Sequence, residues 1–263
     1  MKIISKSRPN TKKTLKPRKV RGIVPYTLLE TYHLLEEFYG EVEHRPKLPP
    51  ADELIWTILS QHTSDLNAGR AFDDLKDHFP NWESVLEAPV TLLSSVIRSG
   101  GLANQKAPRI QEVLKIIKER VHSFDLFFLA EMELAEAKEW LTSLPGVGPK
   151  TAAVVLSFAL GMPAFAVDTH IHRVAKRLAL IGPKVSADEA HDVLENSIEP
   201  DKVFPAHVYL ITHGRQICKS LRPLCNHCVL KPHCPSYSVM KEQKKISLEQ
   251  YLPTKPTLIP KPL

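Results

Sequence analysis

The sequence predicts an all-α protein, on two observations. Apolar residues recur at spacings of three and four along the interior of the chain, and no stretch alternates apolar and polar residues as a half-buried strand does. Helix punctuation agrees: Ser186-Ala-Asp-Glu189 is a capping box, in which the first and last side chains each satisfy the other's backbone N–H.

Taken in order, Leu28, Leu29, Tyr32, Leu35 and Phe38 fit one helix face. Ile110, Val113, Leu114 and Ile117 fit a second, and Leu134, Ala137, Trp140 and Leu141 a third. Pro149 suits the first position of a helix, where its missing N–H costs nothing. Thr169 to Leu180 reads as a helix with Ile171, Val174, Ala175 and Leu178 inward and Asp168 as its N-cap. The capping box at Ser186 opens another. About ten helices joined by short turns, with no repeat, make an all-α architecture. The ends differ. Residues 1–21 are Lys-rich, contain Pro9 and Pro17 and have no apolar period, so a disordered basic tail is expected. Residues 241–263 form a Pro/Lys-rich tail with four prolines after Tyr251.

At 263 residues and 43% apolar, the chain can bury a substantial core. It has no apolar run of membrane-spanning length and no secretory h-region, so a reducing interior is expected and a disulfide framework is not. The whole chain carries +6; with +9 in residues 1–21 and +3 in 241–263, residues 22–240 carry −6. Bulk charge therefore says little about the folded part. One local patch is basic: Lys202, Arg215, Lys219, Arg222 and Lys231 stand against Asp201 alone between 200 and 235. Taken by itself, such a patch is as consistent with a solvated face as with a polyanion site.

Three features carry chemistry. The first is the turn Leu144-Pro-Gly-Val-Gly-Pro-Lys150. Gly146 and Gly148 permit positive φ or close backbone approach, and a helix start presents free N–H groups to an anion. A glycine hairpin between two helices can thus hold DNA phosphates without reading sequence. Lys150 falls in the first turn after it. The dipole's positive end opposes a second positive charge there, and an amine without its proton attacks carbon. The plainer reading is an ordinary surface lysine. The second feature is Asp168. As a cap it is commonplace; fixed at the mouth of a cleft, it could also stabilise the positive charge that develops on a sugar as a base departs.

The third feature is the set of cysteines. Cys218, Cys225, Cys228 and Cys234 are spaced C-x6-C-x2-C-x5-C, with no cysteine elsewhere. Four thiolates so close imply one metal centre. Structural zinc often uses two C-x2-C knuckles, and only one occurs here; a 4Fe-4S cluster takes four cysteines. Spacing alone leaves both open, with a disulfide pair as a remoter third.

Together these motifs resemble the endonuclease III family of helix-hairpin-helix DNA glycosylases. Leu144-Pro-Gly-Val-Gly148 is similar to the family's hairpin. Lys150 falls on its catalytic lysine, Val167-Asp-Thr-His170 on its catalytic aspartate segment, and the cysteines on its cluster loop; His213-Gly-Arg215 also matches. The resemblance runs from about Tyr26 to Tyr237. It implies two helical domains with a cleft between them: a six-helix barrel with the hairpin over 43–162, and an iron–sulfur domain made of 22–42 and 163–240. It implies a 4Fe-4S cluster on the four cysteines, in a structural role. It also implies base-excision glycosylase and abasic-site lyase activity, with oxidised pyrimidines as the expected substrate.

The implied partner is duplex DNA with a damaged base or abasic site, bound by a monomer and with no membrane. Gly146, Val147, Gly148, His170, Lys219 and Arg222 would contact it. The expected location is the cytoplasm of a prokaryote, or the nucleus or an organelle of a eukaryote. The family fills the gap left by a flipped base with a glutamine. Gln61 and His62 both align there, Gln61 being favoured. Pro149 stands where the family has a basic residue, and His172 where it has an aromatic one. Two other readings remain. A monofunctional glycosylase for mismatched adenine, thymine or uracil would lack a lysine at 150. A non-catalytic DNA-binding protein would need neither Lys150 nor Asp168.

Overall fold

The computed structural model describes residues 24–237; both tails lie outside the described residues, as do residues 22–23 and 238–240 of the expected iron–sulfur domain. The described residues form eleven α-helices and no strand. They are α1 (Leu28–Tyr39), α2 (Pro50–Ser60), α3 (Asp65–His78), α4 (Trp82–Glu87), α5 (Val90–Val96), α6 (Ala103–Val121), α7 (Leu134–Thr142), α8 (Pro149–Val154), α9 (Thr169–Leu178), α10 (Ala187–Glu195) and α11 (Val203–Gln216). No helix among the described residues is long and apolar enough to cross a membrane.

The predicted capping box of Ser186 and Glu189 forms on α10, and Pro149 opens α8 as expected; Thr27 and Glu30 make a further capping box on α1. The most enclosed helix is α2. It buries Leu54, Ile55, Ile58 and Leu59 and packs against α3, α6 and α8. Each such side chain withdrawn from water contributes about 1.5–3 kcal/mol. Its last turn therefore leaves the core at a fixed place, and residues 61–63 emerge there. Past Val154, α8 widens into a π turn over Val155–Ala159. His44 Nε2 donates to the carbonyls of Ser157 (2.9 Å) and Phe158 (3.2 Å), which compensates the shifted bonding that such turns bring.

A second group of helices is built around α9 and α11. Gly214 on α11 makes their close approach possible: a Cβ there would lie 3.0 Å from His170 Cβ and 3.2 Å from its carbonyl oxygen. The N-terminal helix α1 packs on α11, far from its sequence neighbours. Tyr32 and Tyr39 meet Tyr209, and Tyr209 donates its hydroxyl to the Gly40 carbonyl at 2.8 Å.

Candidate active site

Residues 144–150 form the expected hairpin between α7 and α8. Val147 is buried and anchors it through a bond from its N–H to the Leu144 carbonyl (3.2 Å), whereas Gly146 and Gly148 are exposed. Gly146 has φ +74, which favours glycine. Gly148 corrects the expectation: its φ is −93, and a Cβ there would meet nothing within 4 Å. The chain itself does not require glycine at 148, which leaves open space beside the start of α8. Lys150 is the second residue of α8 and is exposed.

Asp168 caps α9 as expected. Its Oδ1 accepts the N–H of Ile171 at 2.7 Å, and the residue is 8% exposed. Residues 164–167 lead to it as buried chain outside any helix, whose backbone polar groups need partners. Side chains from two other helices supply them. Glu195 accepts the Phe165 N–H (3.0 Å), His191 Nδ1 donates to the Phe165 carbonyl (2.7 Å), and His207 Nδ1 donates to the Ala166 carbonyl (2.7 Å). Lys138 of α7 pairs with Glu195 at 2.6 Å and ties this brace to the hairpin's own helix.

Sequence reasoning missed His207. It is 1% exposed, its Nε2 has no hydrogen-bond partner, and burial pushes its pKa down to about 4. The charges of Asp168 and Lys150 both act on it, the first favouring its cation and the second opposing it. The Ala166 bond seats this imidazole against the segment that leads into Asp168. Nothing in the sequence near 207 signals this, because its partners are 41 residues away along the chain.

His170 sits in the first turn of α9, half-buried, and accepts from Arg173 Nη2 at 3.2 Å. Burial lowers its pKa. His172 binds the Val185 carbonyl through Nε2 at 3.0 Å, so it fastens the loop before α10. Arg215 reaches across to Asp65 at the start of α3, 3.3 Å away.

Gln61 and His62 stand differently. Gln61 is half-buried, and its Nε2 donates to the Gly146 carbonyl at 3.3 Å, which braces the hairpin. His62 is exposed with φ +55, a conformation that costs a non-glycine residue energy and is commonly kept at functional sites. Leu102, another residue that sequence reasoning missed, is 47% exposed with φ +50. One buried lysine ties the two loops together: Lys106 Nζ donates to the carbonyls of Leu59 (2.6 Å) and Gly100 (2.9 Å).

The four cysteines are free thiols, and all line one cavity together with Val174, Leu178 and Ile217. Burial pushes up the thiols of Cys225 and Cys234, and that of Cys228 to about 12; neighbouring thiolates push the same way. Two arginines of α9 organise the loop's first turn. Arg173 Nε donates to the Cys218 carbonyl (3.2 Å), and Arg177 donates to the carbonyls of Cys218, Lys219 and Ser220 and to Cys218 Sγ (3.4 Å). His213 bridges Tyr39 to Cys228: Nδ1 lies 3.2 Å from the tyrosine hydroxyl and Nε2 3.3 Å from Sγ. Lys219 is half-buried and Arg222 exposed on this loop.

Residues 55–200 match the family described as HhH-GPD superfamily base excision DNA repair protein. An endonuclease III of Thermotoga maritima is 33% identical over 209 residues, covering 78% of this chain and 93% of that protein. One from Sulfolobus acidocaldarius is 32% identical, covering 70% and 81%. Among solved structures, a trapped endonuclease III–DNA covalent intermediate is 30% identical with a TM-score of 0.68, covering 82% of this chain and 96% of that one. Matching family, length and fold together, the chain belongs to the endonuclease III family of HhH-GPD superfamily base excision DNA repair proteins.

Proposed function

We propose that this protein is a DNA glycosylase that removes a damaged base, oxidised pyrimidines being its substrate class, and then nicks the strand as an abasic-site lyase. The observation that carries this reading is the pair Lys150 and Asp168. One is a lysine at the exit of the glycine hairpin, the other a buried, capped carboxylate, and Lys138 and Glu195 tie the helix before the hairpin to the segment before the carboxylate. A monofunctional enzyme has no use for the lysine. The site then lies between two helical units, 43–162 on one side and 22–42 with 163–240 on the other.

The flipped nucleotide enters beside Asp168. Its carboxylate faces the sugar as positive charge develops there. Lys150 Nζ, as a neutral amine, bonds to C1′ while the N-glycosidic bond breaks and its electron pair leaves with the base. The ring opens as the C1′–O4′ pair returns to the oxygen, which takes a proton, and an imine forms between Nζ and C1′. Removal of a C2′ proton then expels the 3′ phosphate by β-elimination, and water hydrolyses the imine.

His62 and Leu102 are the exposed side chains suited to enter the gap and wedge the stack, while Gln61 braces the hairpin. Gly146, Val147 and Gly148 would hold one phosphate run, with Lys219, Arg222 and His170 on the far side.

Cys218, Cys225, Cys228 and Cys234 would hold a 4Fe-4S cluster. All four sulfurs line one cavity, and Arg177 beside it offers an N–H to Cys218 Sγ, a lining that fits a group bonded to four thiolates. When bound, the cluster cross-links four thiolates and fixes the basic loop.

Borohydride trapping tests the reading. An imine is reduced to a stable amine, so the wild-type protein should become covalently attached to duplex DNA carrying an oxidised pyrimidine, and Lys150→Gln should not. Base release without any trapping would favour the monofunctional alternative.

A further inference from the structure

The hairpin lacks a cation of its own for DNA phosphate. Lys150 is committed to chemistry in the reading above, and Pro149 offers neither charge nor N–H. The structure supplies a candidate from another element. Arg109 is on α6, 37 residues before Gly146, yet its guanidinium occupies the space beside that glycine. A Cβ added at Gly146 would fall 1.8 Å from Arg109 Nη1, 2.9 Å from Cζ and 3.2 Å from Cδ. Its φ of +74 favours glycine at 146, and the missing Cβ leaves the space that this arginine occupies.

The seat is stiff. The Gly146 carbonyl accepts from Gln61, and Val147 beside it is buried. Arg109 itself stays open to solvent: its side chain is 45% exposed, and its ion pair, to Glu112 on the same helix, is 3.8 Å long between two exposed groups. Such a pair is worth little and yields readily to a better anion. Two residues on, the space outside Gly148 is empty. A guanidinium placed beside an open glycine turn suits a phosphodiester oxygen pair, which arginine binds through two parallel N–H bonds.

We propose that Arg109 is the phosphate-binding cation of the hairpin, contributed in space by α6. This rests on the reading that the hairpin carries duplex DNA. Being a backbone contact, it holds register and does not select the lesion. Glu112, on the other side of the guanidinium, competes with the phosphate for it.

The test is the salt dependence of binding, measured by titrating the full chain against two duplexes, one undamaged and one with a tetrahydrofuran abasic site. Arg109→Gln should weaken both to a similar degree, about five- to tenfold at moderate salt. It should also reduce the slope of log K against log salt by about 1. Arg109→Lys should keep the slope and recover part of the affinity. Urea midpoints of the variants verify that the fold is intact; Lys115→Gln, a cation further along α6, should leave the slope unchanged. The proposal is overturned if Arg109→Gln keeps both affinity and slope while wild type binds. It is overturned equally if Lys115→Gln shifts the slope as much, since bulk charge then explains the effect. If the wild type binds neither duplex, the DNA-binding reading itself fails, and this inference with it.

Discussion

His207 Nδ1 donates to the carbonyl of Ala166 over 2.7 Å, two residues before the carboxylate of Asp168. A carbonyl can only accept, so Nδ1 carries the hydrogen and Nε2 is left as a bare lone pair in the interior.

The burial of this ring gives stability a pH dependence. Burial lowers the His207 pKa from 6.5 to about 4, so the folded state holds it neutral while the unfolded chain takes up a proton. The contribution is complete above about pH 6.5 and is lost as pH falls toward 4; the full shift is worth up to about 3 kcal/mol. Urea unfolding of wild type should show this decline. His207→Gln, which keeps an N–H for the Ala166 carbonyl, should be flatter over that window. An unchanged pH slope in the variant would remove His207 as its source.

Asp168 and Lys150 should separate by substrate. Asp168→Asn keeps an oxygen for the Ile171 N–H and so keeps the cap. Without the negative charge, base release should fall by about 10²–10³, the usual worth of one preorganised group. An abasic duplex has no base to release, so nicking of it should fall less. Equal losses on both substrates would assign the carboxylate to proton handling at the lysine.

Gln61 and His62 should have different phenotypes. His62→Ala should weaken binding to a duplex with an abasic gap, because stacking of a ring in the gap is worth about 1–3 kcal/mol. Gln61→Ala should weaken damaged and undamaged duplex alike, since it loosens Gly146. 2-Aminopurine opposite the gap reports the plug: its fluorescence should rise with His62→Ala only. The reverse pattern would make Gln61 the gap-filler.

Cys225→Ser should abolish the iron and sulfide content, about four of each per wild-type chain for this cluster type. DNA affinity should then fall more than the rate of imine chemistry on an abasic duplex. One zinc per wild-type chain, with no iron, would refute the cluster.

Residues whose partners are near in sequence were legible. Asp168 reaches three residues to Ile171, Ser186 three to Glu189, and Pro149 begins α8, so local pattern sufficed. Family likeness added the cysteines and Lys150. What escaped was contact between distant segments: His207 with Ala166, Arg109 with Gly146, Lys106 with Leu59. No periodicity marks a residue whose purpose is to satisfy a carbonyl 41 or 47 positions away. Gly148 departs from only one of its two expected reasons: its φ is ordinary, so positive φ is not the reason, and the missing Cβ leaves room outside the chain for close approach.

One helix has the proposed reacting carboxylate at its head and an arginine near its tail that grips the cysteine loop. From Asp168 to Arg177, α9 covers about 14 Å at 1.5 Å per residue. At 3.4 Å per nucleotide along a strand, that is about four steps. On the proposed reading the helix acts as a caliper: it would set how far from the flipped sugar the basic loop can press on the backbone. The setting has a phase as well as a length. One residue inserted into α9 would turn its head by about 100° relative to its tail. The loop or the carboxylate would still reach DNA, but the two could not engage the same strand together.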